Sequence, residues 1–498
     1  MLHVLNGKEM HACDQKVISE FGIPSLVLME KASLGVCSYI KEHFTKDSSI
    51  GIVCGPGNNG GDGLAVGRLL FDEGYDVKIF LCEDSNHLSV DAKAQYKSAV
   101  CYGIPFVMDL EEIRDCDVIL DAIFGTGLGR SVEGAYREII TSLNEFSGEK
   151  IAVDIPSGIC SDDGRVLGVA VKCSATVTFA YYKIGQLLFP GRAYCGEVVL
   201  CDIGISAKML EDKMGNLSFE KEDLKEYLPQ RTMDSHKGTY GKVLVVAGSK
   251  NMAGAAYFSA KAAYLMGAGL VQVFTEEANR IVLQTLLPEA ILTTYEGKVN
   301  EDEFTKAIQW ADAIVVGPGL STASTSVKIL KQVLDLAAVP VVIDADGLNI
   351  LAEHKNLLKR PHLELVLTPH LGEMARLTGQ PVSHVKENLL PLAEEFSRDY
   401  NVVVALKDAA SVVAIPYLQS YINRSGNNGL STGGSGDVLA GIMGGLMAQG
   451  LAGEVAAPLA VYFHGLCGEE GSKKKGKASL LAEDILGEIP FLLKEYVL

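Results

Sequence analysis

Two glycine-rich turns carry the residues best suited to chemistry. One reads Gly55-Pro56-Gly57-Asn58-Asn59-Gly60-Gly61-Asp62-Gly63 and the other Gly433-Gly434-Ser435-Gly436-Asp437, and each opens a helix-like stretch. Glycine lets the main chain approach a phosphate closely, while the unpaired N–H groups and the dipole of a helix start attract negative charge. The aspartate in each turn repels a phosphate. It suits a metal ion, a hydroxyl or a proton transfer instead. Neither turn is a standard fingerprint: the first lacks the Lys-Ser/Thr ending of a P-loop and the spacing of the dinucleotide motif. Two such turns far apart imply two nucleotide sites on one chain.

Positioning them requires strand–loop–helix units, and the sequence supplies two series. The first runs through Ile50–Cys54, Val77–Leu81, Val118–Asp121, Ile151–Asp154 and Ala175–Phe179, short apolar runs alternating with amphipathic stretches. That alternation predicts a parallel sheet covered by helices, with ligands at the carboxyl ends of its strands. Asn59, Asp121 and Asp154 fall at or just beyond such ends. The second series runs through Lys242–Gly248, Ala313–Val316, Val341–Asp344, Leu365–Leu367 and Val402–Leu406. Between them lies the polar break Glu211–Asn216, so the predicted domains are residues 1–212 and 217–498. The 498 residues exceed the ~250–300 at which a single core stops growing.

Composition narrows the function. At 48% hydrophobic and 21% charged the chain is globular, and its start has no apolar h-region. The longest apolar run, Val438–Ala448, falls short of the roughly 18 residues of a membrane span. A soluble cytoplasmic protein with no membrane partner is expected. A net charge of −18 argues against a nucleic-acid partner, and Lys473-Lys474-Lys475-Gly476-Lys477 reads as a solvated loop. Eleven cysteines without a C-x-x-C pair read as reduced thiols. Leu439, Met443 and Met447 share one helix face and read as core.

Asn58-Asn59-Gly60-Gly61-Asp62-Gly63, Asp121 with Gly125-Thr126-Gly127-Leu128-Gly129-Arg130-Ser131, and Asp154-Ile155-Pro156-Ser157 together resemble the epimerase domain of the NAD(P)H-hydrate repair enzymes. The resemblance implies that Asn58, Asn59, Gly60, Gly61 and Asp62 bind the hydrated nucleotide, as do Gly125, Thr126, Gly127, Leu128, Gly129, Arg130, Ser131 and Asp154. It implies a potassium ion on Asn59, Asp121 and Ser157, and oxygen ligands suit such a hard cation. The substrate's carbon bearing the hydroxyl is bonded to the ring nitrogen, so it inverts by ring opening and closing. Asp154 is the candidate to move the hydroxyl proton, with Lys183 second. Capping or turn formation is the alternative role for Asp121 and Asp154. Ser25-Leu26-Val27-Leu28-Met29-Glu30 also fits the family, whereas Lys31-Ala32-Ser33 departs from its usual continuation.

Residues 225 to 495 resemble the dehydratase domain of the same enzymes, a ribokinase-like fold, through His236–Gly241, Gly248–Ala256, Gly317–Leu320, Asp344–Asn349, Thr368–Met374 and Gly433–Asp437. The resemblance implies Asp437 as the base, and Ala253, Gly319, His370 and Asp437 on the hydrated cofactor. It implies Lys407, Asp408, Ala409, Ala410, Ser411 and Gly436 on the adenine nucleotide. Asp408 stands where the family commonly has glycine. His370 reads equally as a helix start after Thr368-Pro369, and Asp344 and Asp346 stay unassigned.

The fold class expected is therefore α/β throughout, a Rossmann-like parallel-sheet domain followed by a ribokinase-like one. The resemblance implies a bifunctional enzyme, an isomerase and a lyase, acting on NADHX and NADPHX. The first domain epimerises the R and S hydrates. The second dehydrates the S form with ADP, or ATP, and magnesium accompanying the nucleotide; the fused layout favours ADP. The alternative is a ribokinase-like small-molecule kinase fused to a non-catalytic nucleotide-binding or interaction module. A homo-oligomer is left open.

Overall fold

The computed structural model describes residues 1–210, 214–359 and 363–497, so Glu211, Asp212 and Lys213 of the expected boundary lie outside the described residues. The chain divides into two compact units, Leu2–Asn216 and Leu217–Leu498 together with Met1. Among the described residues no helix is long and apolar enough to cross a membrane.

In the first unit, β1 (Ser49–Cys54), β2 (Asp76–Leu81), β3 (Phe106–Val107), β4 (Val118–Ala122), β5 (Glu149–Val153), β6 (Ala175–Phe179) and β7 (Glu197–Cys201) pair in parallel. Their order is 3-2-1-4-5-6-7. Ile50, Ile52, Val53 and Cys54 are all fully buried. Such a continuous apolar strand is what a parallel sheet covered on both faces requires. One face packs on Leu64, Val66 and Leu70, the other on Ile113, Ile140 and Leu143. β1 and β4 are neighbours although not consecutive, so their connections leave in opposite directions. A crevice opens outside their carboxyl ends, where Gly55–Asn59 and Ile123–Arg130 stand.

The helix Asn58–Asp72 places glycines in its interior, each costing about 1 kcal/mol against alanine. Close approach accounts for them. A Cβ at Gly60 would lie 1.9 Å from the Gly55 carbonyl oxygen, and one at Gly55 would lie 2.0 Å from that of Ile123.

In the second unit, β8 (Lys242–Val246), β9 (Leu270–Glu276), β10 (Ile291–Tyr295), β11 (Ala313–Val316), β12 (Val341–Ile343), β13 (Leu365–Leu367), β14 (Val403–Leu406), β15 (Val412–Ala414) and β16 (Tyr421–Ile422) lie in the order 10-9-8-11-12-13-14-15-16. Pairing is parallel as far as β14 and antiparallel beyond it. The helix Ser435–Ala448 lies within the core, and Leu439, Met443 and Met447 are buried as their spacing predicts. The break expected at Glu211–Asn216 ends sooner than its composition suggests. Asn216 already begins the strand Asn216–Ser218, in which Leu217 pairs with Tyr421.

Two candidate active sites

A cleft of about 820 Å³ opens at the carboxyl ends of β1, β4 and β5. Asn58, Asn59 and Asp62 line it from the helix after β1, Gly125, Thr126, Gly127, Leu128, Gly129 and Arg130 from the loop after β4, and Asp154 from the end of β5. Gly60, Gly61 and Ser131 are not in this lining; Gly60 and Gly61 face inward, against Gly55 and Met29.

Asp154 holds a left-handed backbone, φ 68°, which is uncommon away from glycine and marks a site where surrounding contacts enforce strain. Those contacts are present. Its N–H donates to the Val177 carbonyl at 2.8 Å, and its own carbonyl accepts from Gln186 Nε2 at 2.6 Å. Its carboxylate accepts from Lys183 Nζ and, at 3.1 Å, from Thr178 Oγ1. Lys183 is 1% exposed and also donates to Thr178 Oγ1 and the Phe179 carbonyl. The two candidate proton carriers are thus one ion pair. Asp14, Asp62 and Asp91 line the same cleft. Burial pushes Asp62 well above the usual carboxylate range, with Asp154 and Asp14 adding to the effect. Burial raises Asp14 to about 6, with Lys183 opposing and Asp154 reinforcing the shift.

Asp121 and Ser157 meet behind this cleft, and Asn59 stands against Gly125 of the loop after β4. Asp121 is fully buried; it accepts from the Ser157 N–H at 2.7 Å, the Ser157 hydroxyl at 2.5 Å and the Ile123 N–H at 3.3 Å. The last contact is the turn expected as an alternative, but the stronger ones reach across to the loop after β5. All these partners are neutral, and burial raises the carboxyl to about 6. Asn59 Nδ2 is buried without a hydrogen-bond partner. Turning that amide end for end presents an oxygen at the same place. A buried carboxylate with neutral donors, a hydroxyl and an amide oxygen is a donor set that fits a cation with oxygen ligands.

In the second unit the turn Gly433–Asp437 leads into the helix Ser435–Ala448, with Gly434 left-handed at φ 91°. The main-chain oxygen of Asp437 accepts from Ser259 Oγ at 3.1 Å, and Ser435 Oγ meets His464 Nε2 at 3.2 Å. These bonds fix the turn from two neighbouring helices. Burial, then Asp344, raises the Asp437 carboxyl to about 7, and Lys407 opposes the shift. Lys407 Nζ donates to Asp344 Oδ1 at 2.7 Å; a Cβ at Gly436 would lie 3.3 Å from the same ammonium. Asp408, Ala409, Ala410 and Ser411 form the turn between β14 and β15, closed by Ser411 Oγ donating to the Asp408 carbonyl at 3.2 Å. Asp408 has no left-handed φ, so the backbone does not demand glycine there.

Ala253 begins a helix beside Gly319, whose loop is tied to the preceding one by Ser249 N–H donating to the Gly319 carbonyl at 2.7 Å. His370 is the N-cap of Leu371–Thr378: its Nδ1 accepts from the Gly372 N–H at 2.9 Å, and Glu373 returns the bond to the His370 N–H at 2.9 Å. The helix-start reading describes this geometry. The ring stays 53% exposed, open to a ligand. Sequence reasoning missed Asp14, Thr368 and His464 and left Asp344 unassigned. None of the four belongs to a spaced motif that declares its partner.

The two units thus define a class: an α/β protein with two nucleotide-type sites, a Rossmann-like one and one in a ribokinase-like domain. The family model described as YjeF-related protein N-terminus matches residues 25–185, and the model described as NAD(P)H-hydrate dehydratase matches residues 243–491. The chain is 37% identical to the bifunctional NAD(P)H-hydrate repair enzyme of Moorella thermoacetica, over 99% of this chain and 97% of that one. Its second unit is similar to a ribokinase-like superfamily protein from Enterococcus faecalis, at 29% identity and TM-score 0.52, over 56% of this chain and 96% of that one. It is also similar to the ADP/ATP-dependent NAD(P)H-hydrate dehydratase of Bacillus subtilis co-crystallized with ATP/Mg2+, at 31% identity and TM-score 0.50, over 57% of this chain and 99% of that one. This chain belongs to the bifunctional NAD(P)H-hydrate repair family.

Proposed function

We infer that this chain returns hydrated nicotinamide cofactors to their reduced form, epimerising R and S NAD(P)H hydrate in the first unit and dehydrating the S form in the second. The observation that carries this reading is the ordered pair of sites on a chain aligned end to end with a bifunctional relative. In the first, Asp154 takes the hydroxyl proton, the carbon–nitrogen bond opens with its electron pair on nitrogen, and closure on the other face inverts the centre. Lys183 holds Asp154 in place through their ion pair. Asn58, Asp62 and Gly125 to Arg130 bind the nucleotide. Asn59, Asp121 and Ser157 would hold a potassium ion, which would supply positive charge to offset the substrate's phosphates.

In the second unit Asp437 takes the proton of the substrate hydroxyl as that oxygen attacks the terminal phosphorus of ADP, whose bond to the bridging oxygen breaks to release AMP. The amides of the glycine turn at the helix start hold the developing charge. Loss of phosphate with the carbon–oxygen electron pair, and of a proton from the neighbouring carbon, restores the double bond. Ala253, Gly319 and His370 contact the hydrate; Lys407 to Ser411 and Gly436 contact the nucleotide, bound with magnesium. The test mixes purified protein, hydrated NADH and either ADP or ATP, and follows reduced-cofactor absorbance and free phosphate. Recovery of both supports the reading. A phospho-ester that accumulates without releasing phosphate would make the second unit a kinase, and hydrate bound without interconversion would make the first a binding module.

A further inference from the structure

Asp344 and Thr368, which have no task in phosphoryl transfer as described above, form a hydrogen-bonded set with Lys407. Asp344 follows β12, is 2% exposed, and accepts from Thr368 Oγ1 and from Lys407 Nζ, each at 2.7 Å. The next residue, Ala345, is left-handed at φ 50°, strain that a non-glycine residue bears only where its neighbours are held in place. The main chain of Lys407 is fixed as well, its N–H donating to the Pro369 carbonyl at 2.7 Å. Its ammonium therefore stands beside Gly436, committed to a carboxylate at the turn that carries Asp437.

We propose that Asp344 is a positioning residue for dehydration: it anchors the Lys407 ammonium against the Ser435–Asp437 turn, where that charge sets Asp437 as a base. The proposal rests on the reading of Asp437 given above and deepens it. The charged groups facing Asp437 are Asp344, Lys407 and Asp346. Glu373 faces Lys407 from the helix Leu371–Thr378. His464, on the helix Gly453–Lys475, is lowered to about 4 by burial and is neutral there. Burial raises Asp437 most, Asp344 adds to that shift and Lys407 opposes it, so the Lys407 ammonium is the charge here that favours the ionised base.

The experiment measures kcat/KM for dehydration of the S hydrate across the neutral pH range, with saturating magnesium nucleotide, in the full-length enzyme and in Asp344→Asn, Lys407→Met and Lys407→Arg. Asp437 must be ionised to accept a proton, so activity falls as pH drops through its pKa. Removing the Lys407 charge moves that limb to higher pH by about one unit, the scale of a neighbouring charge. Asp344→Asn removes its own upward push on Asp437 but also unseats the Lys407 ammonium that opposes it, so its limb moves by less than that. Lys407→Arg keeps the wild-type limb, and kcat falls more than the nucleotide KM rises in Lys407→Met. A Lys407→Met limb that stays fixed would overturn the proposal, as would an Asp344→Asn limb that moves down by a full unit as though Lys407 had stayed in place, or a rise in nucleotide KM alone. Should Asp344→Asn fail to fold by thermal melting, the two lysine variants decide alone. A wild-type enzyme without dehydration would sink the underlying reading first; normal wild-type dehydration with unmoved limbs sinks only this inference.

Discussion

At the scale of single residues, burial brings the proposed base of the second unit into the range where proton transfer is efficient. Asp437, raised to about 7, is poised close to the pH at which a general base works best. Asp437→Asn keeps the side-chain volume and removes the base, so dehydration should fall about 10²- to 10⁴-fold while epimerisation stays intact. Retention of half the wild-type rate would remove Asp437 from this role. In wild type the same group sets a pH limb: activity is lost as pH falls through about 7, because protonation occupies the lone pair that must accept the proton. Asp121 bears on the other unit. Asp121→Ala should weaken both potassium activation and substrate binding, read as R-to-S rates against potassium concentration. Replacing potassium by a large organic cation should mimic the mutation in wild type and add little to it in the variant. An unchanged potassium dependence would leave Asp121 with its turn and its Ser157 bond alone.

At the scale of elements, the glycine turns are set by distances between main chains. A Cβ at Gly55 or Gly60 would fall 2.0 Å or less from a carbonyl oxygen, whereas one at Gly57 meets nothing within 4 Å. Gly55→Ala and Gly60→Ala should therefore each destabilise the first unit by at least about 1–3 kcal/mol. Gly57→Ala, at the helix N-cap, should cost less than about 1 kcal/mol. Thermal melting of the three variants checks the ranking, and equal losses at all three positions would show that the turn relaxes. The same elements explain what was legible in the sequence. β1, β4, β11 and β13 read directly as apolar runs because neighbouring strands and helices bury them throughout. The edge strands β7 and β10 are only partly buried. Asn58–Asp62, the loop Gly125–Arg130 and Asp154 could be placed because they follow such strands closely. The Asp344 bonds to Lys407 and Thr368 could not, since residues far apart in sequence meet only once β12, β13 and β14 are laid side by side.

At the scale of the whole molecule, the chain joins two activities whose sheets share no chemistry. The first unit's sheet is ordered 3-2-1-4-5-6-7 around Asp154 and Lys183, the second's 10-9-8-11-12-13-14-15-16 around Asp437. Each has its own buried cluster, one centred on Ile50, Ile52 and Leu120, the other on Val243, Val315 and Met443. Chains of about 200 and 280 residues are long enough to bury such cores unaided. We propose that residues 1–212 and 217–498 are separable domains. Expressed apart, each should be soluble and keep one activity, the first interconverting the epimers and the second consuming the S hydrate with nucleotide. Mixing the two should then convert an R and S mixture completely, because the epimerase replenishes what the dehydratase removes. The second piece alone should stop once the S form is gone, apart from slow spontaneous epimerisation. If either piece is soluble only in the presence of the other, the two share one core, and the division falls however distinct the two sheets are.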